Sequence, residues 1–212
     1  MTLVVHETFV SIQGESTHAG RPCFFIRLSG CNLRCAWCDT RAAWTGGQER
    51  SLDELLALAR DAACPLVEVT GGEPLLQAET PALVSALCRG GFEVLVETNG
   101  SLDISPLDPA ATAIVDIKCP SSGESKANDL GNLARLRPAD ELKFVLADRT
   151  DYVFARDLVR EMARPGRAVH FSPVFGTLDP KVLAAWMLED RLAVRLGLQW
   201  HKYIWGPEAT GV

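Results

Sequence analysis

A succession of short apolar runs, spaced by amphipathic stretches, limits this chain to one class of fold. The runs are Cys23–Leu28, Leu66–Thr70, Glu93–Thr98, Ala113–Lys118, Glu141–Leu146, Ala168–Ser172 and Val194–Gln199. Most are apolar almost throughout rather than at every second residue, the pattern of parallel strands covered on both faces. Between them, Ser51-Leu52-Asp53-Glu54 is a capping box opening a helix with Leu52, Leu55, Leu56 and Ala59 on one face. Ala82–Arg89 predicts a second helix that stops at Gly90-Gly91. Thr150 or Asp151 caps a third, running to about Ala163 before Pro165-Gly166. Asp179-Pro180 starts a fourth, whose buried stripe is Val182, Leu183, Trp186 and Met187. This alternation is the signature of an α/β protein.

Length refines the architecture. With 212 residues, 47 % of them hydrophobic and 23 % charged, the chain can build one sizeable core. No repeat, low-complexity tract or linker divides it, and the polar stretch Ser121–Asp129 reads as a loop at a strand end. An eight-unit barrel takes about 250 residues. The expectation is therefore a trimmed, partly open parallel (β/α) barrel of about six strands. Residues 1–212 form a single domain in this reading, with an N-terminal segment 1–22 and a C-terminal closing segment 194–212 flanking the core. A net charge of −6 spread over both signs argues against a nucleic-acid surface. The N-terminus shows no basic region followed by an apolar run, and no stretch approaches the roughly 18 apolar residues of a membrane helix. Unpaired cysteines place the protein in a reducing cytoplasm.

One loop stands apart from this scaffold. Cys31-Asn32-Leu33-Arg34-Cys35-Ala36-Trp37-Cys38-Asp39-Thr40 sets three thiols at the spacing CxxxCxxC. A structural zinc site fills a tetrahedron with four side chains, whereas each of the four irons of a cubane cluster needs its own ligand. Three cysteines leave one iron open to bind a small molecule, which suits chemistry rather than electron storage. The other four of the seven cysteines, Cys23, Cys64, Cys88 and Cys119, are scattered singly in apolar segments and read as small core hydrophobes. Zinc with a distant fourth ligand is the competing reading, His18 being the histidine nearest the triad.

The triad spacing resembles the cluster motif of the radical S-adenosylmethionine (SAM) superfamily. A second motif, Val67-Glu68-Val69-Thr70-Gly71-Gly72-Glu73-Pro74, follows a predicted strand, where two glycines let a ligand approach the backbone and a carboxylate can take an ammonium. In that superfamily a Gly-Gly-Glu motif grips the methionine amino group of the cofactor, a role that falls here to Gly72 and Glu73. Glu97-Thr98-Asn99-Gly100 and Asp116-Ile117-Lys118-Cys119-Pro120 resemble the segments that face the cofactor's ribose and carboxylate. Asp116 and Lys118 can equally form an ion pair on one face of a strand. Ser172-Pro173-Val174-Phe175-Gly176 would wall the adenine, or serve as an ordinary loop. Trp37, Cys38, Asp39, Gly72, Glu73, Asp116, Lys118 and Ser172 are thus the expected cofactor contacts.

The flanks are more discriminating. Glu7-Thr8-Phe9-Val10-Ser11-Ile12-Gln13-Gly14-Glu15-Ser16-Thr17, Gly20-Arg21-Pro22-Cys23-Phe24-Phe25-Ile26-Arg27-Leu28-Ser29-Gly30 and Thr40 after Cys38-Asp39 resemble the 7-carboxy-7-deazaguanine synthase family. Leu198-Gln199-Trp200-His201-Lys202-Tyr203-Ile204-Trp205 is similar to its closing strand. The resemblance implies a [4Fe–4S] cluster on Cys31, Cys35 and Cys38, reductive cleavage of SAM, and Mg²⁺ on Thr40. It implies ring contraction of 6-carboxy-5,6,7,8-tetrahydropterin to 7-carboxy-7-deazaguanine with loss of ammonia, on the way to queuosine and related 7-deazapurines. It also implies an electron donor such as flavodoxin and a homodimer, for which Trp44 and Trp186 are candidate face residues.

A pterin carries a donor–acceptor edge and a carboxylate, so its reader needs an amide, an acid and a cation. Gln13 and Glu15 can serve the edge and Arg27 can hold the carboxylate as a fork. Ile12, Gly14, Thr70 and His201 complete the expected substrate set, with His201 and Lys202 on opposite faces of a closing strand. Two other functions fit the triad: a glycyl-radical-enzyme activase, and a non-enzymatic iron–sulfur or zinc binding module.

Overall fold

The computed structural model describes residues 1–162 and 167–212. Its strands are β1 (Thr2–Ile12), β2 (Pro22–Leu28), β3 (Gln48–Ser51), β4 (Leu66–Gly71), β5 (Glu93–Thr98), β6 (Thr112–Asp116), β7 (Glu141–Leu146), β8 (Val169–Pro173) and β9 (Arg195–Leu196). The helices are α1 (Leu52–Asp61), α2 (Thr80–Arg89), α3 (Asn132–Arg135), α4 (Arg149–Glu161), α5 (Pro180–Glu189) and α6 (Trp200–Ile204). The strands form one sheet in the order β3-β1-β2-β4-β5-β6-β7-β8-β9. From β2 through β9 neighbours run parallel, whereas β1 pairs antiparallel with both β2 and β3. The sheet is an open, mostly parallel partial barrel, as expected.

The N-terminal segment is more than a flank. β1 is the longest strand, TLVVHETFVSI; β3 covers only its first part, Thr2–Val5, and the polar residues of the remainder follow from an outer side without a strand partner and a half-exposed face. At the other end, the expected strand Val194–Gln199 is reduced to Arg195–Leu196, and the chain then turns into α6. His201 and Lys202 therefore do not alternate across a strand. On a helix they are adjacent, and both face the cavity described below.

The outer face of the sheet carries the main core, in which Val67, Val69, Val96, Val115, Leu142, Phe144 and Phe171 pack against Leu55, Leu83, Leu87, Tyr152 and Leu183. α1 opens on the capping box at Ser51, whose hydroxyl accepts from Glu54 N while Glu54 accepts from Ser51 N. Asp179 caps α5 as expected, but Val182 is 39 % exposed, and only Leu183 and Met187 of its stripe are fully buried. α4 is capped by Asp148 rather than by Thr150 or Asp151. Asp151 is instead buried, where it accepts from Ser121 N and Ala147 N and so pins the loop after β6. The expected end of this helix at Ala163 and Pro165-Gly166 lies outside the described residues. Trp44 lies under the guanidinium of Arg34, and Trp186 packs on Tyr152 and Arg149; both rings are half-buried.

The inner face has two layers. A small apolar cluster of Cys23, Phe25, Leu66, Leu95 and Ile114, with Phe9 against it, fills its lower part. Two residues further along the same strands, on the same face, stand Arg27, Glu68, Glu97 and Asp116. The β1–β2 loop lies across this face and is tied to the strand starts: Thr17 N donates to Glu141 Oε2 at 3.0 Å, and Arg21 Nη1 to Glu93 Oε1 at 2.9 Å. His170 Nε2 sits 2.7 Å from the same Glu141 carboxylate. Among the described residues no helix is long and apolar enough to cross a membrane.

Candidate active site

A cavity of about 710 Å³ opens at the C-terminal ends of the parallel strands. Its wall combines β2, β4, β5, β6 and β7 with the β1–β2 loop, the cysteine loop and α6. The place is the one at which such barrels keep their chemistry, because the strand ends present side chains from several directions.

Cys31, Cys35 and Cys38 all line this cavity and all are partly exposed. Their loop is held by backbone: Cys38 N donates to Cys35 O at 3.2 Å, and Ala36 N to Ser122 O at 3.0 Å. Arg34 Nη1 ties down Cys31 O and Leu33 O at 2.8 and 2.7 Å. Asn99 reaches Cys31 Sγ at 3.9 Å and Asn32 Oδ1 at 3.0 Å, joining the end of β5 to the loop. Burial pushes the Cys31 and Cys35 thiols up, so that they keep their protons until a metal displaces them. The remaining cysteines sit in or against the core, as expected. Three soft donors in one cavity fit a cluster with an open iron. Among the described residues no three His, Cys, Asp or Glu side chains are placed to hold a single metal ion. His18, the candidate fourth zinc ligand, is engaged instead with Glu93 at 3.0 Å.

The glycine pair works differently from the expectation. A β-carbon at Gly72 would overlap Gly30 O and stand 2.8 Å from Cys31 Cβ, so the glycine lets the end of β4 pack against the root of the cysteine loop. Gly72 lines the cavity; Glu73 does not. The Glu73 side chain is fully buried, with Oε1 accepting from Leu75 N at 3.0 Å and Thr98 Oγ1 at 2.8 Å, and Oε2 from Asn99 N at 2.7 Å. It caps the turn after β4 and clamps the end of β5, and burial raises its pKa. Ser172 is also buried away from the cavity, facing Gly197, and the wall there is made by Val174 and Phe175. Asp116 and Lys118 line the cavity and are paired with each other, Nζ to Oδ2 at 2.8 Å. Trp37, Asp39 and Thr40 line it too. Thr40 Oγ1 donates to Asp39 Oδ1 at 3.0 Å, and Lys202 Nζ meets Asp39 Oδ2 at 2.6 Å, drawing α6 to the cysteine loop.

The expected substrate residues Ile12, Gln13, Gly14, Glu15, Arg27, Thr70 and His201 all line the same cavity. Gln13 is buried, donates through Nε2 to Glu68 Oε2 and accepts from Glu15 N at 3.0 Å. Arg27 uses Nε for Glu7 at 2.8 Å and lies over the Phe9 ring, which leaves its two Nη groups for a ligand. Burial lowers the pKa of His201, so its imidazole is neutral near pH 7.

Sequence reasoning missed Glu68 and Lys143. Each is a lone charge in a run that otherwise reads as apolar, Leu66-Val67-Glu68-Val69 and Leu142-Lys143-Phe144. That interruption was the available signal. Burial, then Glu97 and Glu15, raise the Glu68 pKa well above the carboxylate range, so it is held as the neutral acid. Burial opposes the charge of Lys143, but Glu15, Glu97 and Asp116 outweigh it and keep the ammonium well above its ordinary range. Burial likewise opposes ionisation of Glu15, and Lys143 reverses it.

The chain is 46 % identical to the 7-carboxy-7-deazaguanine synthase of Koribacter versatilis, over 98 % of this chain and 99 % of that one. It is 49 % identical to the protein of that name from Chlorobaculum tepidum, over 99 % and 97 %. The chain belongs to the 7-carboxy-7-deazaguanine synthase family. A pattern described as the Radical SAM superfamily matches residues 25–117, from β2 to just beyond β6. The crystal structure of QueE from Escherichia coli superposes with a TM-score of 0.80 over 94 % of both chains at 23 % identity, which shows the shared fold. Members of the 7-carboxy-7-deazaguanine synthase family are radical SAM lyases, and radical SAM enzymes work with a [4Fe–4S] cluster and SAM. The activase and binding-module readings give way to this membership.

Proposed function

We propose that this protein converts 6-carboxy-5,6,7,8-tetrahydropterin to 7-carboxy-7-deazaguanine with loss of ammonia. The observation that carries the reading is that the three thiols share one cavity with an amide, an acid and an arginine fork, the set a carboxylated pterin needs. Cys31, Cys35 and Cys38 hold the cluster. Gly72, Trp37 and the Asp116–Lys118 pair border SAM, and Arg27 takes the substrate carboxylate through its Nη groups. When bound, cluster and SAM supply the one-electron chemistry that removes a hydrogen atom from carbon. The protein's part is to hold that carbon in line and exclude water: Gln13 and Glu15 fix the ring edge, and α6 closes the side through His201 and Lys202.

Mg²⁺ is assigned to Thr40, whose hydroxyl, substrate oxygens and water make a minimal site for a hard cation. A flavodoxin-like electron donor, a homodimer and a cytoplasmic location complete the reading by family analogy, with neither nucleic acid nor membrane as partner. The test is anaerobic incubation of the reconstituted protein with SAM, Mg²⁺, a chemical reductant and the carboxytetrahydropterin. Release of ammonia and the ultraviolet spectrum of the deazapurine are expected, and their absence from a fully loaded enzyme would overturn the proposal.

A further inference from the structure

Two buried acceptors in the cavity have no donor. Glu15 Oε1 and Asp116 Oδ1 are both shielded from solvent and make no hydrogen bond. An unpaired buried oxygen on a charged group is costly, so each position is built for a donor that arrives with a ligand. The two residues come from distant parts of the chain, Glu15 from the β1–β2 loop and Asp116 from the end of β6.

One ammonium faces the opposite oxygen of each, by hydrogen bond at Glu15 and at ion-pair distance at Asp116, whose Oδ2 also accepts from Lys118 Nζ at 2.8 Å. Lys143 Nζ lies 2.5 Å from Glu15 Oε2 and 3.8 Å from Asp116 Oδ2, and 2.5 Å from Glu97 Oε1 on β5. Its side chain is 5 % exposed. Lys143 and Asp116 are register partners on β7 and β6, so their side chains leave the sheet together on its inner face. A lysine in the middle of a buried strand is expensive to desolvate. Here the cost is met by three carboxylates, and one of their oxygens on each of Glu15 and Asp116 stays free.

We infer that Lys143 is a positioning residue that fixes Glu15 Oε1 and Asp116 Oδ1 as a preset pair of acceptors, one for an N–H of the pterin ring and one for an O–H or N–H of SAM. The inference rests on the reading of this cavity as a joint pterin and SAM site. In it, the Lys143 ammonium, with Lys118 on the other flank of Asp116, sets the spacing between substrate and cofactor, which is the distance hydrogen transfer depends on. The alternative is that Lys143 is only a counter-charge, without which the buried acids repel.

The two are separable by binding measurements that need no turnover. Lys143→Met, Lys143→Arg and the charge-balanced pair Lys143→Met/Glu97→Gln would be titrated calorimetrically with SAM and with 6-carboxypterin, on protein carrying its cluster. A positioning role predicts that all three variants lose affinity for both probes, by about ten-fold or more each, as expected for a misplaced charged acceptor. Lys143→Arg keeps the charge and the fold but cannot place its longer planar head at the same three-oxygen point. The balanced pair should regain the thermal stability that Lys143→Met loses, without regaining affinity. Recovery of wild-type affinity in the balanced pair, or undiminished affinity in Lys143→Arg, would reduce Lys143 to a counter-charge and overturn the inference. Failure of the wild-type protein to make a deazapurine while these affinities shift as stated would count against the proposed reaction and not against Lys143.

Discussion

Gly14 and His201 are in such close contact that a side chain at position 14 would occupy the space of the imidazole. A β-carbon there would overlap His201 Nδ1 and stand 3.1 Å from His201 N, and Gly14 O accepts from Trp200 N at 3.1 Å. Gly14→Ala therefore forces the loop and α6 apart, at a cost of about 1–3 kcal/mol for overpacking. The expected result is a lower melting temperature and a raised KM for the pterin, with iron content unchanged. An alanine variant with wild-type KM would show that α6 does not close the substrate side.

The cluster assignment is a question of ligand count. Cys31→Ala, Cys35→Ala and Cys38→Ala should each lose the cluster and all activity, because two thiolates cannot hold a stable cubane. Cys64→Ala and Cys88→Ala should keep it, since both thiols belong to the hydrophobic packing. Iron and sulfide analysis after reconstitution decides between these outcomes, and a full cluster in any triad variant would contradict the assignment.

Thr40→Val removes one hydroxyl at nearly constant shape. The lost partner within the protein is only the Asp39 carboxylate at 3.0 Å, so the fold should be unaffected. With its single protein oxygen gone, Mg²⁺ should be required at higher concentration for turnover, while the cluster spectrum and SAM binding stay as they were. A wild-type Mg²⁺ dependence would move the metal elsewhere.

Glu68 gives a prediction with a sign. Its folded pKa is raised well above 4.5, first by burial and then by Glu97 and Glu15. The stability this provides is complete below the unfolded pKa and is lost as pH rises towards the folded one, because the unfolded chain ionises first. Glu68→Gln keeps the contact with Gln13 in a group that cannot ionise. From about pH 4.5 upward the variant should gain on the wild type by no more than about 1.4 kcal/mol per pH unit. Urea midpoints at several pH values would show it, and a difference that shrinks with rising pH would mean that Glu68 is ionised in the folded protein.

Much of this structure is legible in the sequence because strand order and hydrophobic runs share one cause, burial of both faces of the central strands. β5 and β7 begin and end where the apolar pattern does, and the cysteine loop faces the strand ends as its position implied. β1 is harder to read, since a half-exposed strand that β3 covers only over Thr2–Val5 carries Thr, His, Glu and Ser where a central strand carries Val and Leu. The tail was misread for a different reason: α6 is fixed by Lys202 reaching Asp39 and by Gly14 admitting His201, contacts from distant parts of the chain that local alternation does not encode. Glu73 shows the same limit in the site. Its position after Gly71-Gly72 suggested an exposed carboxylate, but Thr98 and Asn99 on the neighbouring strand claim both of its oxygens.

The β1–β2 loop is moored to Glu93 and Glu141 below and to Lys143 above, and so forms a fixed wall of the chamber. The strands that present the thiols, Gly72 and the Asp116–Lys118 pair do not depend on that loop for their own pairing. Replacing the residues between Gln13 and Arg21 would therefore alter which ring the chamber accepts, and through Glu15 and Lys143 the change would reach Asp116 while the thiol loop kept its own backbone ties. In a sheet that never closes, selectivity and reactivity come from different stretches of chain that meet at one ammonium, Lys143.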